Sequence, residues 1–248
     1  MAIAAIYDIH ANLPALEAVL GDIRLAGVDQ IVVGGDVVPG PMPRETIARL
    51  RDLDLPVRFI QGNGDREVLA LMRGGDGAAI PGPFRESVRW NARQLGADEE
   101  ALLAGWPATL QLHVDGIGDT VFCHATPRND TEIFTSRTLE DRLTPIFDPL
   151  NVPLAVCGHT HMQFDRSIGR TRVVNAGSVG MPFQEPGAYW LLLGPDVTLQ
   201  RTPYDLEAAA ARIRATGYPQ AEEFAARNVL GPPSEQEMLD LFTRFELR

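Results

Sequence analysis

The chain has little of what marks secreted, membrane-bound or nucleic-acid-binding proteins. Its 248 residues include two cysteines, Cys123 and Cys157, and two thiols make no disulfide framework. No apolar stretch approaches the length of a membrane span, and the apolar segment Met1–Tyr7 is too short for a signal peptide. We therefore expect a cytoplasmic protein without a membrane partner, and we interpret both cysteines as small buried strand residues.

Positive charge is also scarce, since 22 Lys and Arg stand against 33 Asp and Glu and the net charge is −11. A general binder of nucleic acid needs a basic surface, so we do not expect a nucleic-acid partner. A small phosphorylated substrate is compatible with this charge, because bound cations would reverse the sign of the local field. Without repeats or low-complexity tracts, we interpret residues 1–248 as a single domain.

Apolar runs alternate with helical patterns in the first part of the chain. The predicted strands are Ala2–Tyr7, Gln30–Val33 and Val57–Ile60. The first predicted helix follows Asn12, and the next two begin at Pro43 and at Arg66. This order predicts right-handed crossovers and parallel strands. Later runs predict a hairpin, a strand at Leu154–Cys157 and further strands, then a helical segment over about 204–248. The sequence leaves open whether that segment covers the core, shapes a cleft or makes a dimer contact.

Side chains that bind metals follow most of these apolar runs. They are Asp8, His10, Asp36, Asn63, His124, His159 and His161. In parallel sheets, ligands bind beyond the carboxyl ends of the strands, where the first clusters fall. Asp8 and His10 are two residues apart, as are His159 and His161, and alternate strand residues point the same way, so we expect each pair to face one ion.

Each cluster alone has a simpler interpretation. Asp8 can cap the first helix, Asp36 and Asn63 can belong to glycine turns, and a lone histidine is usually a core or surface residue. Four histidines near successive strand ends are hard to explain by packing. His113 lacks such a context and is interpreted as an ordinary strand residue.

Taken in order, the motifs Asp8-x-His10, Gly35-Asp36, Gly62-Asn63, His124 and Gly158-His159-x-His161 resemble those of the calcineurin-like metallophosphoesterase superfamily. The match runs from Asp8 to about Gly180, and Asn175-Ala-Gly-Ser178 resembles a segment of its small bacterial members. The resemblance implies an α/β fold, a four-layer α/β/β/α sandwich of two mixed sheets flanked by helices.

The resemblance also implies a centre of two divalent transition-metal ions. One ion would be held by Asp8, His10, Asp36 and His161, and the other by Asp36, Asn63, His124 and His159. Asp36 would bridge them, and Asp36, Asn63 and His124 are the candidate catalytic residues. Such ions share a water, lower its pKa and clamp the phosphoryl oxygens. We expect Mn, although the ligands also suit Fe, Zn, Ni or Co.

The sequence departs from the family at Gly64, where many members have a histidine that donates a proton to the leaving group. A general acid contributes roughly 10²–10⁴-fold, and its loss matters most for poor leaving groups. We therefore expect good leaving groups, another donor or slow turnover. Asp65 is interpreted as a helix cap. Arg66 and Arg128 are candidate substrate-binding residues, with surface ion pairs as the alternative.

Together these features predict a metal-dependent phosphoesterase that hydrolyses phosphomonoesters or phosphodiesters of small molecules. A dinucleoside tetraphosphate hydrolase and a protein phosphatase-like enzyme are the alternatives within this class. A metal-binding scaffold without activity is disfavoured because every ligand position is filled. An unrelated α/β protein with chance histidines would carry no transition metal when purified. The sequence does not determine the oligomeric state.

Overall fold

The computed structural model describes residues 1–247, and the strands of these residues form two five-stranded sheets. In spatial order, the first sheet contains β10 (Val197–Thr202), β9 (Ala188–Leu193), β1 (Ile3–Ile6), β2 (Gln30–Val33) and β3 (Val57–Phe59). The second contains β4 (Thr109–Val114), β5 (Gly118–Cys123), β6 (Leu154–Cys157), β8 (Thr171–Ala176) and β7 (Gln163–Ile168).

Both sheets are mixed, with a parallel centre and antiparallel additions. β1, β2 and β3 are parallel, as are β5, β6 and β8, whereas β9, β10, β4 and β7 pair antiparallel with their neighbours. The parallel strands therefore end at one edge of each sheet, and for β1, β2 and β3 the order of the sequence elements predicted this arrangement.

Alternate residues of β1 point to opposite sides of the first sheet, and both sides are buried. Ile3, Ala5 and Tyr7 pack between the sheets, whereas Ala4 and Ile6 pack beneath the helices. Tyr7 is fully buried, and its hydroxyl donates a hydrogen bond to the carbonyl of Val156 at 3.2 Å. This tyrosine thus joins the two sheets directly below the ends of β1 and β6.

Helices cover the outer faces of both sheets. They are α1 (Leu13–Ala26), α2 (Pro43–Arg51), α3 (Asn63–Met72), α4 (Arg85–Gln94), α5 (Ala97–Ala104), α6 (Glu140–Phe147), α7 (Leu206–Arg214), α8 (Ala221–Phe224) and α9 (Glu235–Phe242). Residues of α1–α5, α7 and α8 share a core with the first sheet, and α6 packs on the second. The predicted four-layer α/β/β/α sandwich of two mixed sheets is confirmed.

Helix α1 forms where its sequence signals indicate. The side chain of Asn12 accepts a hydrogen bond from the amide of Ala15, and Gly27 ends the helix in the left-handed conformation at φ 65°. Leu16, Ile23 and the other apolar residues of one stripe are buried. Burial of each large aliphatic side chain contributes about 1.5–3 kcal/mol.

The predicted start of α3 is wrong by three residues, because the helix begins at Asn63 and not at Arg66. The carboxylate of Asp65 accepts a hydrogen bond from the amide of Gly62 at 3.0 Å, which caps the helix one turn earlier than the sequence indicated. Asn63 therefore stands on the first turn of a helix.

Cys123 and Cys157 end β5 and β6 as buried free thiols, as predicted. Burial raises the pKa of the Cys123 thiol to about 12. Within residues 1–247, no helix is long and apolar enough to cross a membrane.

Candidate metal centre

The seven predicted ligands lie where parallel strands of the two sheets end. Asp8 and His10 follow β1, Asp36 follows β2, and Asn63 follows β3; in the second sheet, His124 follows β5, and His159 and His161 follow β6. Five of them are buried, and Asn63 and His159 are partly exposed. The two sheets thus contribute to one cluster at their shared edge.

The reason expected for the convergence of Asp8 with His10, and of His159 with His161, is wrong. β1 ends at Ile6 and β6 ends at Cys157, so none of the four residues lies in a strand. All four have left-handed backbones, with φ 52°, 47°, 67° and 59° in chain order, and Asp36 has φ 51°. Such conformations are uncommon outside glycine and cluster at functional sites.

Three histidines are oriented by hydrogen bonds from their Nδ1 atoms to main-chain carbonyls. A carbonyl oxygen only accepts, so each Nδ1 carries the proton and each Nε2 presents a lone pair. The bonds join His10 to Pro39 at 3.2 Å, His124 to Gly34 at 3.0 Å and His161 to Met181 at 2.7 Å. Metal-binding histidines are commonly held in this way.

The Nε2 atoms of His10 and His161 face each other at 3.2 Å. With both imidazoles neutral, neither nitrogen has a proton to give the other, and a cation bound between them would satisfy both lone pairs. Asp8 Oδ1, which is buried and accepts no hydrogen bond, lies 3.3 Å from His161 Nε2. These three residues form one compact group of potential ligand atoms, and the residues present fit a divalent metal.

Asp8, Asp36 and His124 form a second such group. Asp36 Oδ1 lies 3.5 Å from His124 Nε2, and Asp36 Oδ2 lies 3.7 Å from His10 Nε2. The two oxygens of Asp36 therefore face the two groups of imidazoles, as a bridging carboxylate requires.

Asn63, at the start of α3, and His159, after β6, lie beside His124 of the second group. The amide atom of Asn63 that faces the centre lies 3.2 Å from His124 Nε2 and 3.0 Å from His159 Nδ1. An NH₂ group there donates to these ring nitrogens, and an amide oxygen there would join them as a metal ligand. The rings of His124 and His159 are also close together, with centroids 5.2 Å apart.

The electrostatics of the site favour cation binding. Burial lowers the pKa of His10 and of His159 to about 3, so both imidazoles are neutral at physiological pH. Burial and the negative charge of Asp8 raise the pKa of Asp36. Burial also acts to raise the pKa of Asp8, but the neighbouring imidazoles of His161, His124 and His10 together outweigh it and lower that pKa. A divalent cation would offset the cost of these buried carboxylates.

Asp65 is the main support of this centre that the sequence did not reveal. Besides capping α3, its carboxylate accepts hydrogen bonds from the amides of Asp36 at 2.8 Å and Val38 at 3.1 Å. Burial and the nearby charge of Asp36 raise the pKa of Asp65 to about 8. One side chain thus ties the loop after β2 to the start of α3.

The segment Asn175–Ser178 holds the loops that carry Asp8 and His159. The Asn175 amide donates to the carbonyl of Gly158 at 2.7 Å, and the Ser178 hydroxyl donates to the carbonyl of Asp8 at 2.7 Å. The amide of His159 donates to Asp8 Oδ2 at 2.8 Å, which leaves the other Asp8 oxygen for the centre. The Asn-x-Gly-Ser motif therefore holds in place the two loops that carry Asp8 and His159.

The C-terminal segment reaches the same rim. Phe183 stacks on the ring of His161 with centroids 4.8 Å apart, and Phe242 of α9 lies against Phe183 at 6.0 Å. Glu246 accepts hydrogen bonds from Thr138 and Arg142, in the chain that continues from His124. α9 therefore packs beside Phe183 and His161, and the residues after it contact the segment around Thr138.

Gly64 leaves no room for the side chain that many family members carry there. A Cβ atom on Gly64 would stand 2.6 Å from the carbonyl oxygen of Val38 and 2.8 Å from Pro39 Cδ. The amide of Gly64 donates to Asp36 Oδ1 at 2.7 Å. The main chain after β2 therefore occupies the space in which a side chain at position 64 would begin.

Both candidate substrate-binding arginines make ion pairs. Arg66 binds Asp130 through two hydrogen bonds of 2.6 and 3.1 Å, and Arg128 binds Glu132 at 2.6 Å. Their side chains are 47% and 56% exposed, so both remain accessible to a ligand. His113 is exposed on β4 and pairs with Asp119, away from the centre.

The sequence profile of the calcineurin-like phosphoesterase superfamily domain matches residues 1–194. The chain belongs to the calcineurin-like phosphoesterase superfamily. Membership identifies it as a metal-dependent hydrolase of phosphoric ester bonds, and the ligand groups described above provide candidate residues for the divalent metal that the family implies. Phe242 and Glu246 lie outside the matched domain.

The relatives described next each match most of the chain. A metallophosphoesterase from Sphaerobacter thermophilus is 28% identical with a TM-score of 0.72, covering 94% of this chain and 99% of its own. Protein PH1004 from Pyrococcus horikoshii shares the fold, with 21% identity, a TM-score of 0.79 and the same two coverages. Protein MJ0912 from Methanocaldococcus jannaschii is 27% identical in an alignment of 241 positions that covers 88% of this chain and 94% of that protein.

Proposed function

We propose that this member of the superfamily hydrolyses phosphomonoesters or phosphodiesters of small molecules at a centre of two divalent ions, with Mn as the expected metal. The observation that carries the proposal is the pair of facing Nε2 lone pairs on His10 and His161, with Asp36 directed at both imidazole groups. In this proposal, all seven predicted ligands hold metal, and Asp36 bridges the ions.

Divalent ions bound there would supply a lowered pKa for water and neutralise charge on the phosphoryl oxygens. The residues of the chain arrange the reactants around that chemistry. Asp36 is fixed by Asp65 and Gly64, and the histidines are fixed by main-chain carbonyls, so little reorganisation accompanies the reaction. Arg66 and Arg128 stay candidates for contacting the phosphate, each in exchange for its present carboxylate partner.

Gly64 bears on the choice of substrate. No side chain at position 64 protonates the leaving group, so esters with good leaving groups, such as aryl phosphates, should react fastest. The same feature favours a second candidate, the hydrolysis of dinucleoside polyphosphates, because a departing phosphate needs little help from an acid.

The test is a hydrolysis assay with added Mn on 4-nitrophenyl phosphate, bis-4-nitrophenyl phosphate and nucleotide phosphates, including a dinucleoside tetraphosphate. Asp36→Asn should lose most activity, and Asp119→Asn is a matched control on the exposed hairpin. If the wild type and Asp36→Asn hydrolyse every ester at the same background rate, the proposal is wrong. The ranking of substrates distinguishes the two candidate functions.

A further inference from the structure

Glu67 is a carboxyl group beside the centre to which the proposed reaction has given no role. It lies on α3, four residues after Asn63 and three after Gly64, so the three residues share one side of the helix. The side chain is partly buried, and in the described chain it makes neither a hydrogen bond nor an ion pair.

The position of Glu67 on α3 places its side chain beside the first turn of the helix. Side chains on a helix lean towards its N-terminus, so Glu67 covers the first turn of α3, which contains Asn63 and Gly64. The negative charge of Glu67 contributes to the raised pKa of Asp36 and of Arg66, which places this carboxyl group within the field of the site.

The other carboxylates at this rim are already engaged. Asp130 binds Arg66, Glu132 binds Arg128 and accepts from Thr126, and Asp65 accepts from three main-chain amides. Among the described residues at the start of α3, Glu67 is thus the residue whose carboxylate oxygens accept no hydrogen bond.

The ionisation of Glu67 is compatible with carrying a proton. Burial raises its pKa, Arg66 partly opposes this shift, and the charge of Asp130 adds to it. A raised pKa brings a carboxylic acid closer to the pH at which it serves as a proton donor.

We propose that Glu67 donates the proton that the leaving group needs, in place of a side chain at Gly64. This inference rests on the proposed phosphoesterase function. A hydroxide derived from water forms the new bond to phosphorus, and the bond from phosphorus to the ester oxygen breaks. Its electron pair goes to that oxygen, which takes the proton of Glu67. The Glu67 carboxylate then regains a proton from bulk water.

The test compares Glu67→Gln with the wild type, on 4-nitrophenyl phosphate, phenyl phosphate and an alkyl phosphate with added Mn. Glutamine keeps the shape but has no acidic proton, so kcat on the alkyl ester should fall roughly 10²-fold or more. On 4-nitrophenyl phosphate, kcat should change less than about threefold, because that leaving group needs no acid. Glu67→Asp should recover part of the alkyl-ester rate, and the exposed Glu207→Gln is the control.

Two readouts separate proton donation from a structural role. The fall of kcat for the alkyl ester at high pH should be present in the wild type and absent in Glu67→Gln. In carbon-13 NMR of the protein without substrate, the carboxyl signal that disappears in Glu67→Gln should titrate above the ordinary glutamate value of 4.5.

An equal loss on all three esters, or unchanged alkyl-ester turnover in Glu67→Gln, would overturn the inference and leave the phosphoesterase function intact. If the wild type hydrolyses none of the esters, the proposed function fails and the role of Glu67 fails with it.

Discussion

The carbonyl oxygen of Val38 lies 2.6 Å from the point where a Cβ atom on Gly64 would stand. A glycine is therefore required here by the main chain that follows Asp36. Because the amide of Gly64 also binds Asp36, any displacement of this turn moves the central carboxylate. The same turn of main chain thus excludes a side chain at position 64 and positions Asp36.

Replacing Gly64 by alanine should therefore damage both stability and activity. We expect Gly64→Ala to lower the free energy of unfolding by about 1–3 kcal/mol through overpacking, and to reduce kcat by displacing Asp36. Gly21→Ala is the matched control, because a Cβ at Gly21 in α1 meets no atom within 4 Å. That change should stabilise the helix by about 0.5–1 kcal/mol. Urea denaturation and the 4-nitrophenyl phosphate assay measure both effects. A Gly64→Ala protein as stable and active as the wild type would contradict the described main chain.

The buried imidazoles predict the pH dependence of the metal-stripped protein. His10 and His159 keep pKa values of about 3 in the folded chain, against 6.5 for an ordinary histidine. Between these values the unfolded chain binds more protons, so the free energy of unfolding falls as the pH drops from 6.5 towards 3. The slope contributed by each histidine is at most about 1.4 kcal/mol per pH unit.

Urea denaturation of the metal-stripped protein at pH 7 and pH 5 tests this slope. His10→Asn should lose stability less steeply than the wild type over that interval. The difference in slope between the two proteins is the contribution of the His10 imidazole, because the carboxyl groups that titrate in the same range are present in both. His113→Asn, at an exposed site, is the control. Equal slopes for the wild type and His10→Asn would show that His10 is not a buried neutral imidazole.

Arg66 is expected to contribute to substrate binding more than to folding. Its ion pair with Asp130 is partly exposed, and such pairs contribute about 0–1 kcal/mol to stability. A charge-assisted hydrogen bond to a phosphate contributes about 1.5–3 kcal/mol, so Arg66→Ala should raise KM roughly tenfold or more with little change in stability. Arg212→Ala removes a comparable exposed pair with Glu17 and should leave KM unchanged. If both variants have the KM of the wild type, Arg66 does not bind the phosphate.

The sequence predicted much of the first sheet, because the signals for its strands and helices are local. The fold class was predicted from the family resemblance. β2 has its predicted bounds, and α1 has its predicted cap and stop. The left-handed backbones of Asp8, His10 and His161 were not predictable, because tertiary contacts such as those of Asn175 and Ser178 impose them. Their residue types were visible, but the conformation that makes them converge was not.

Other structural features could not be predicted from the sequence, because the residues that cause them are far apart in the chain or act through main-chain contacts. The early start of α3 depends on Asp65, whose carboxylate also binds amides of the loop after β2. The contact of Glu246 with Thr138 joins residues separated by 108 positions, and no periodic pattern reports it. Glu67 belongs to none of the motifs that the sequence shares with the family. Its proposed role depends on its position on α3 beside Gly64.

We propose that His10, Asp36, His161 and the other predicted ligands bind two metal ions. The most direct measurement is the number of Mn ions bound per chain, obtained by isothermal titration of the metal-stripped wild type and of Asp36→Asn at pH 7. We expect two ions in the wild type and weaker binding at both sites in Asp36→Asn, since Asp36 faces both groups. A wild type that binds no Mn, or an Asp36→Asn protein that binds two ions as tightly as the wild type, would show that Asp36 does not bridge two bound ions.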